Sequence, residues 1–383
     1  MAGIYLHVPF CKQACHYCDF HFSTNTQRRE DMVRALAKEL TLQRDYLAGE
    51  TVQTIYLGGG TPSLLAASEL ALLLATVHRQ FPVATQPEVT LEANPDDLNP
   101  AKLKELRAAG INRLSIGIQS FHEPHLRYLN RAHGADEAVR CVQQAQDAGF
   151  SNISIDLIYA IPAEDHRIWE KDLAQAVALR PQHIASYCLT IEEKTVFGRW
   201  QQQGKLRTMG DVFAAEQFEL LLATLTAADY DPYEVSNFCR PGYYAKHNTS
   251  YWQNQNYLGV GPSAHSYDGV SRQYNVANNA KYLRAIADGL IPFEREVLSR
   301  HDQINERIMT GLRTKWGCDL AGLKNQLHYD LYETHRAYIN QLVKEGKAVV
   351  QEDHLILTSS GRLVADGIAE AFFLIDADEV VSR

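Results

Sequence analysis

Short runs of β-branched and aromatic residues alternate with longer stretches of three- and four-residue periodicity down the first half of the chain. Residues 4–8 form the first run, and residues 54–57 form a second that stops at Gly58-Gly59-Gly60. Residues 88–93 alternate apolar and polar before Asn94-Pro95. Residues 113–118 read Arg-Leu-Ser-Ile-Gly-Ile, residues 153–161 are almost wholly apolar, and residues 184–191 close the series. These patterns predict six strands. Between them, residues 31–47 put Met32, Val33, Leu36 and Leu40 on one helical face. Residues 100–109 and 136–148 do the same with Leu103 and Leu106, and with Val139, Val142 and Ala145. Gly110 and Gly149 fall where a helix C-terminus wants a residue free to turn left-handed.

Strand and helix alternating at this spacing imply a parallel sheet with right-handed crossovers. Six units are too few to close an eight-stranded barrel. The expected fold is therefore α/β, an open partial barrel, with a flat doubly wound sheet as the alternative. In either, ligands gather at the C-terminal ends of the strands. The unusual residues cluster there: His7 to Cys11 after strand one, Gly58 to Pro62 at the end of strand two, Glu92, Gln119-Ser120, and Asp156. Beyond about Phe197 the pattern turns more helical and aromatic. Residues 1–230 are read as the barrel domain and 231–300 as a His- and aromatic-rich linking region. Residues 301–383, helices followed by a hairpin near residues 348–358, are read as a winged-helix-like module.

Composition narrows the function. The chain has 383 residues, with 37 Lys and Arg against 46 Asp and Glu, a formal charge of -9. An acidic chain without a basic run is a poor nucleic-acid binder. Its longest apolar stretch, residues 64–77, is interrupted by Ser68 and Glu69 and is too short to span a bilayer. The first residues lack the basic segment of a signal peptide. Three of the seven cysteines lie within eight positions and the others are scattered, unlike a disulfide framework. These features place the chain in the reducing cytoplasm, with peripheral membrane contact and a homodimer left open.

Cys11, Cys15 and Cys18 form a C-x3-C-x2-C run. Thiolates are soft ligands suited to iron–sulfur clusters. Three on one loop can hold three irons of a [4Fe–4S] cube and leave the fourth open to a small molecule. The alternative is zinc, with His16 or His21 as the fourth ligand. The remaining cysteines need no special role; Cys141 and Cys188 suit core packing.

This run at the end of a first strand, with a Gly-rich second strand end, resembles the radical S-adenosylmethionine (SAM) superfamily, whose fold is a partial (β/α)6 barrel. Tyr5 to Cys11, Gly58 to Pro62, Ser115 to Ser120 and Ile155 to Tyr159 are together similar to the oxygen-independent coproporphyrinogen III oxidase family, over nearly the whole chain. The oxidase branch carries a further cysteine where this chain has Phe20. The HemW-type heme chaperone branch has Phe there and an H-N-x-x-Y-W motif, matched by His247 to Trp252. The resemblance implies a [4Fe–4S] cluster, SAM and heme as cofactors. It puts Tyr5, Gly59, Gly60, Thr61, Glu92, Gln119, Arg131 and Asp156 at the SAM site.

The residues suit these roles on their own chemistry. Glycines let backbone come close, Glu92 and Asp156 accept hydrogen bonds from amino and hydroxyl groups, and Arg131 pairs with a carboxylate. His247 is a candidate heme ligand, with Tyr251 and Trp252 flanking the macrocycle. His265 is a second candidate and Cys239 a third. Each has a structural alternative, as a satisfied core residue. Three functions follow: a carrier that hands heme to acceptors such as membrane cytochrome subunits; a coproporphyrinogen oxidase, against which Phe20 argues; or a radical-SAM enzyme acting on another substrate. The carrier reading makes coproporphyrinogen dehydrogenase activity unexpected.

Overall fold

The computed structural model describes residues 2–375. Its first six strands are β1 (Ala2–Val8), β2 (Val52–Gly59), β3 (Val83–Ala93), β4 (Arg113–Gln119), β5 (Ile153–Tyr159) and β6 (His183–Cys188), all paired in parallel in that order. Successive side chains on a strand point to opposite faces, and here the two faces differ in chemistry. Ile4, Leu6, Ile55, Leu57, Leu91, Leu114, Ile116 and Ile155 are fully buried on the outer face. They pack under the crossover helices α1 (Arg29–Leu42), α2 (Ala67–Gln80) and α3 (Pro100–Ala108) and, after the short α4 (Glu123–Tyr128), under α5 (Ala135–Asp147) and α6 (Arg167–Leu179). Burying each such side chain contributes about 1.5–3 kcal/mol. That apolar seam leaves the inner face free to carry polar groups. Tyr5, Tyr56, Thr90 and Arg113 lie in one row across β1 to β4, and Glu92, Ser115, Ser154 and His183 in the next row across β3 to β6. Residues from β2 through β6 line one cavity, so the sheet curls around it as the partial barrel requires.

Boundaries shift where the backbone leaves extended geometry. The fifth strand stops at Tyr159 because Ala160 takes a left-handed φ of 60°. The sixth starts at His183 and ends at Cys188. The first helix ends at Leu42, and Leu47 packs into the core from the turns beyond it. The third strand begins at Val83, ahead of Pro87.

Helices α7 (Val196–Gln202) and α8 (Asp211–Ala227) lead into residues 231–300, which join the same sheet at both edges. β8 (Asn237–Cys239) pairs antiparallel with β6, and β7 (Asp231–Glu234) pairs antiparallel with β8 at the edge. After α9 (Lys246–Trp252), β9 (Tyr257–Val260) pairs in parallel with β1, and β10 (His265–Tyr267), β11 (Ser271–Asn275) and β12 (Phe293–Val297) continue outward. Helix α10 (Asn279–Ala287) packs on α1. A separate core, including Ile304, Leu323, Ile339, Leu355 and Phe372, holds the C-terminal helices and a three-stranded antiparallel sheet, the winged-helix-like arrangement expected. Arg313 joins this unit to the barrel through an ion pair with the buried Glu234 at 3.1 Å.

Candidate functional site

The loop after β1 is pinned at its base and open at its tip. Ser23 N donates to Pro9 O (2.9 Å) and Cys11 N to Ser23 O (3.1 Å), closing the loop on itself. Gly60 N donates to Val8 O (2.9 Å) and Thr61 N to Phe10 O (2.7 Å), fastening it to the end of β2. Asn130 Nδ2 donates to Ala14 O (2.7 Å) from the far side. Cys11, Cys15 and Cys18 are left half-buried, facing a cavity of about 420 Å³ at the C-terminal ends of the strands. Burial pushes the Cys18 thiol up to about 12, partly offset by a backbone hydrogen bond from Phe20. A bound metal replaces that proton.

Neither imidazole that could complete a zinc site lines this cavity. His16 Nδ1 is 3.0 Å from Tyr128 O, and its ring lies against Trp200. His21 Nε2 is 2.8 Å from Asn279 Oδ1. Among the described residues no three His, Cys, Asp or Glu side chains are gathered to hold a single metal ion. The soft donors facing the cavity are the three loop thiols and, at the end of β6, Cys188, which is half-buried at the cavity and not packed in the core as expected; three thiols on one loop are the donor chemistry a cluster takes.

The polar side chains converge on the same space. Glu92 accepts from Tyr56 OH at 2.8 Å and from Gly59 N at 3.1 Å. Burial pushes its carboxyl up to about 7, with those hydrogen bonds working the other way and Asp156 adding to the rise. Asp156 accepts from Ser115 Oγ at 3.2 Å, and burial pushes it up to about 6 against the field of Arg113. Arg131 donates through Nη1 to Cys15 Sγ (3.3 Å) and through Nη2 to Asn94 Oδ1 (2.6 Å) and Gly117 O (2.7 Å). Gln119, at φ 67°, turns its amide toward the space above Gly117. Thr61 accepts from Asn94 Nδ2 at 3.2 Å. Tyr5 donates to His7 Nδ1 at 3.1 Å. That assignment follows because His7 Nε2 must carry the proton it gives to His21 O at 2.8 Å.

Gly59 and Gly60 serve the chain itself before any ligand. A Cβ on Gly59, whose φ is 99°, would lie 2.4 Å from His7 Cε1; one on Gly60 would lie 2.6 Å from Phe10 O. Tyr56, Asn94, Arg113 and Tyr17 also line the cavity and were not singled out from the sequence. Arg113 alone carried a signal, a charge opening an otherwise apolar strand. Phe20, where the oxidase branch has cysteine, stands at the mouth with 68% of its surface exposed.

Of the heme candidates, His247 and Tyr251 meet, and they use each other as hydrogen-bond partners. His247 sits at the opposite, N-terminal end of the barrel, 1% exposed. Its Nδ1 is 2.7 Å from Thr54 Oγ1 and its Nε2 2.7 Å from Tyr251 OH, so both ring nitrogens are engaged. Its ring stacks on Tyr56 at 5.0 Å. Glu88 accepts from the backbone of Lys246 and His247, anchoring the start of α9 beneath β1 to β3. Trp252 carries the guanidinium of Arg313 over its ring. His265 is exposed on β10, near Tyr274. Cys239 is buried within β8, and burial pushes its thiol up to about 12.

A thiolate loop over a polar cradle, on the C-terminal rim of a curled parallel sheet, defines a radical SAM protein. A family model described as the radical SAM superfamily matches residues 5–176, and one for the HemN C-terminal domain matches residues 298–364. The chain belongs to the family of the heme chaperone HemW. It is 32% identical to that protein from Bacillus subtilis over 97% of this chain and 99% of the relative. It is 37% identical to that from Mycobacterium tuberculosis H37Rv (96% and 93%) and 39% identical to that from Escherichia coli K12 (69% of each). The coproporphyrinogen III oxidase HemN of Escherichia coli, a radical SAM enzyme, shares the fold: TM-score 0.83, 23% identity, 97% of this chain and 90% of that one.

Proposed function

We propose that this chain is a heme chaperone. In this reading it carries a [4Fe–4S] cluster on Cys11, Cys15 and Cys18, holds SAM beside it, and binds heme. It delivers heme to acceptor proteins, membrane cytochrome subunits foremost, from the cytoplasm. The observation that carries the reading is the convergence of three thiols, Glu92, Arg131 and Asp156 on one cavity with Phe20 at its mouth. The names of relatives 32–39% identical to this chain point the same way. No helix among the described residues is long and apolar enough to cross a membrane.

When bound, the cluster supplies one-electron chemistry and an iron open to an amino acid's amine and carboxylate. The protein's part is binding and orientation. Arg131, already tied to Cys15, offers donors to a carboxylate. Glu92 offers acceptors to an amine, and Asp156 to ribose hydroxyls. For heme, His265 is the imidazole that can reach iron as it stands. Partial desolvation of its ring and the charge of Arg272 lower its proton affinity, which favours the neutral, ligating form. His247 ligates only after giving up Thr54 or Tyr251.

The test is a heme titration of the cluster-reconstituted chain, followed by incubation with an apo-cytochrome subunit. A shifted Soret band that then moves to the acceptor is expected, with His265→Ala weakening heme binding more than His247→Ala. Multiple turnovers of coproporphyrinogen with SAM and reductant would instead establish the oxidase reading.

A further inference from the structure

The inner end of the cavity contains a charge that the site described so far does not use. Arg113 opens β4, is 1% exposed and faces the cavity with Glu92 and Asp156. Its Nε is buried without a hydrogen-bond partner. Glu92 uses its oxygens on Tyr56 and Gly59, and Asp156 accepts from Ser115, so neither carboxylate is fastened to it. A buried, untied guanidinium is costly and is not there to hold strands together. Its row neighbour Thr90 also has a buried hydroxyl without a partner.

We propose that Arg113 is a positioning residue for SAM: its charge, set behind the cradle, keeps Asp156 an acceptor for the cofactor's hydroxyl hydrogens. The inference rests on the SAM site proposed above. Both carboxylates are deeply enclosed, and burial drives each toward its neutral form. Glu92 is faced by Tyr5 from β1, Tyr56 from β2, Asp156 from β5 and Cys11 from the loop. None of these supplies positive charge. Asp156 is faced by Tyr56, Glu92, Ser115, Ser154, Tyr187, Arg113 and Arg131. Arg131 is committed to Cys15, Asn94 and Gly117 on the rim side. From the floor, Arg113 is faced by His183, His247, Tyr233 and Cys239. Burial keeps both imidazoles neutral, and Arg113 reinforces it; His247 is lowered to about 3. From the inner side Arg113 is the charge that works most strongly against burial at Asp156; at Glu92 it adds to the larger effects of the Tyr56 and Gly59 hydrogen bonds.

The sign follows. Removing Arg113 raises both carboxyl groups, so SAM affinity falls as pH drops through the new range and recovers at high pH. SAM binding to the full, cluster-reconstituted chain is measured from pH 6 to 9. Each unit of upward shift in one carboxyl corresponds to about a tenfold loss on the acid side, so Arg113→Gln is expected to lose at least about tenfold at the acid end and about threefold or less at the alkaline end. Arg113→Lys restores the charge at the acid end, where the ammonium is protonated, and is expected to stay within about threefold of the native chain there. A loss by Arg113→Gln that is equal at every pH, or a loss by Arg113→Lys matching it, would overturn the proposal. If Arg113→Gln does not fold, Arg113→Met, which also removes the charge, is read in its place with the same expectation. A native chain that holds its cluster and binds no SAM at any pH would overturn the site reading instead.

Discussion

Gly60 shows how one residue decides whether the thiolate loop can form. A Cβ there would meet Phe10 O at 2.6 Å, Phe10 N at 2.7 Å and Val8 O at 2.7 Å. These are backbone atoms and cannot swing aside. Gly60→Ala must therefore push the loop off β2, breaking the bonds from Gly60 N to Val8 O and from Thr61 N to Phe10 O. Overpacking of this kind costs about 1–3 kcal/mol, so a lowered melting temperature and reduced iron retention after reconstitution are expected; an unchanged chain on both measures would show that the loop is not seated as described. The triple glycine was legible as a place of close approach. What approaches was not: the partner is the chain's own first loop, some fifty positions away, and no local pattern records it. Glu92 was visible at a strand end for the same local reason. Its partner Tyr56 was hidden, because a cross-strand pair is fixed by register and not by spacing.

At the scale of elements, α9 carries the sharpest consequence. Its seven residues hold the H-N-x-x-Y-W motif and lie under the barrel, with His247 wedged against Gly3, Thr54 and Tyr56. Truncating His247 to alanine strands Thr54 Oγ1 and Tyr251 OH and opens a void. A loss of about 2–4 kcal/mol is expected from the unpaired groups and the cavity together, read in a denaturant melt; a loss below about half a kilocalorie per mole would mean that α9 is not the barrel's floor. The six parallel strands were readable because β-branched runs ending in Gly or Pro are a strong local signal. The edge strands were not. Tyr257–Val260 is four residues long, and nothing within it says that it pairs in parallel with the first strand. The region from 231 to 300 therefore looked like a link when read along the chain, although it supplies strands at both margins of the sheet.

Taken whole, the molecule sets an apolar outer seam against a polar interior, and that division positions the site. The outer residues of β1 to β6 stabilise the sheet. The inner ones are free to be Tyr, Glu, Arg, Ser and Asp, and they meet the cysteine loop at one rim. At the other end, Trp252 and Arg313 connect α9 to the C-terminal unit, and Arg313 reaches Glu234 in β7. The three thiols are the part on which every other assignment depends. The most direct measurement is iron and acid-labile sulfide content of anaerobically reconstituted native chain beside variants with Cys11, Cys15 or Cys18 replaced by serine. About four of each per native chain is expected, falling steeply in all three variants; zinc in place of iron, or iron content indifferent to the substitutions, would contradict it.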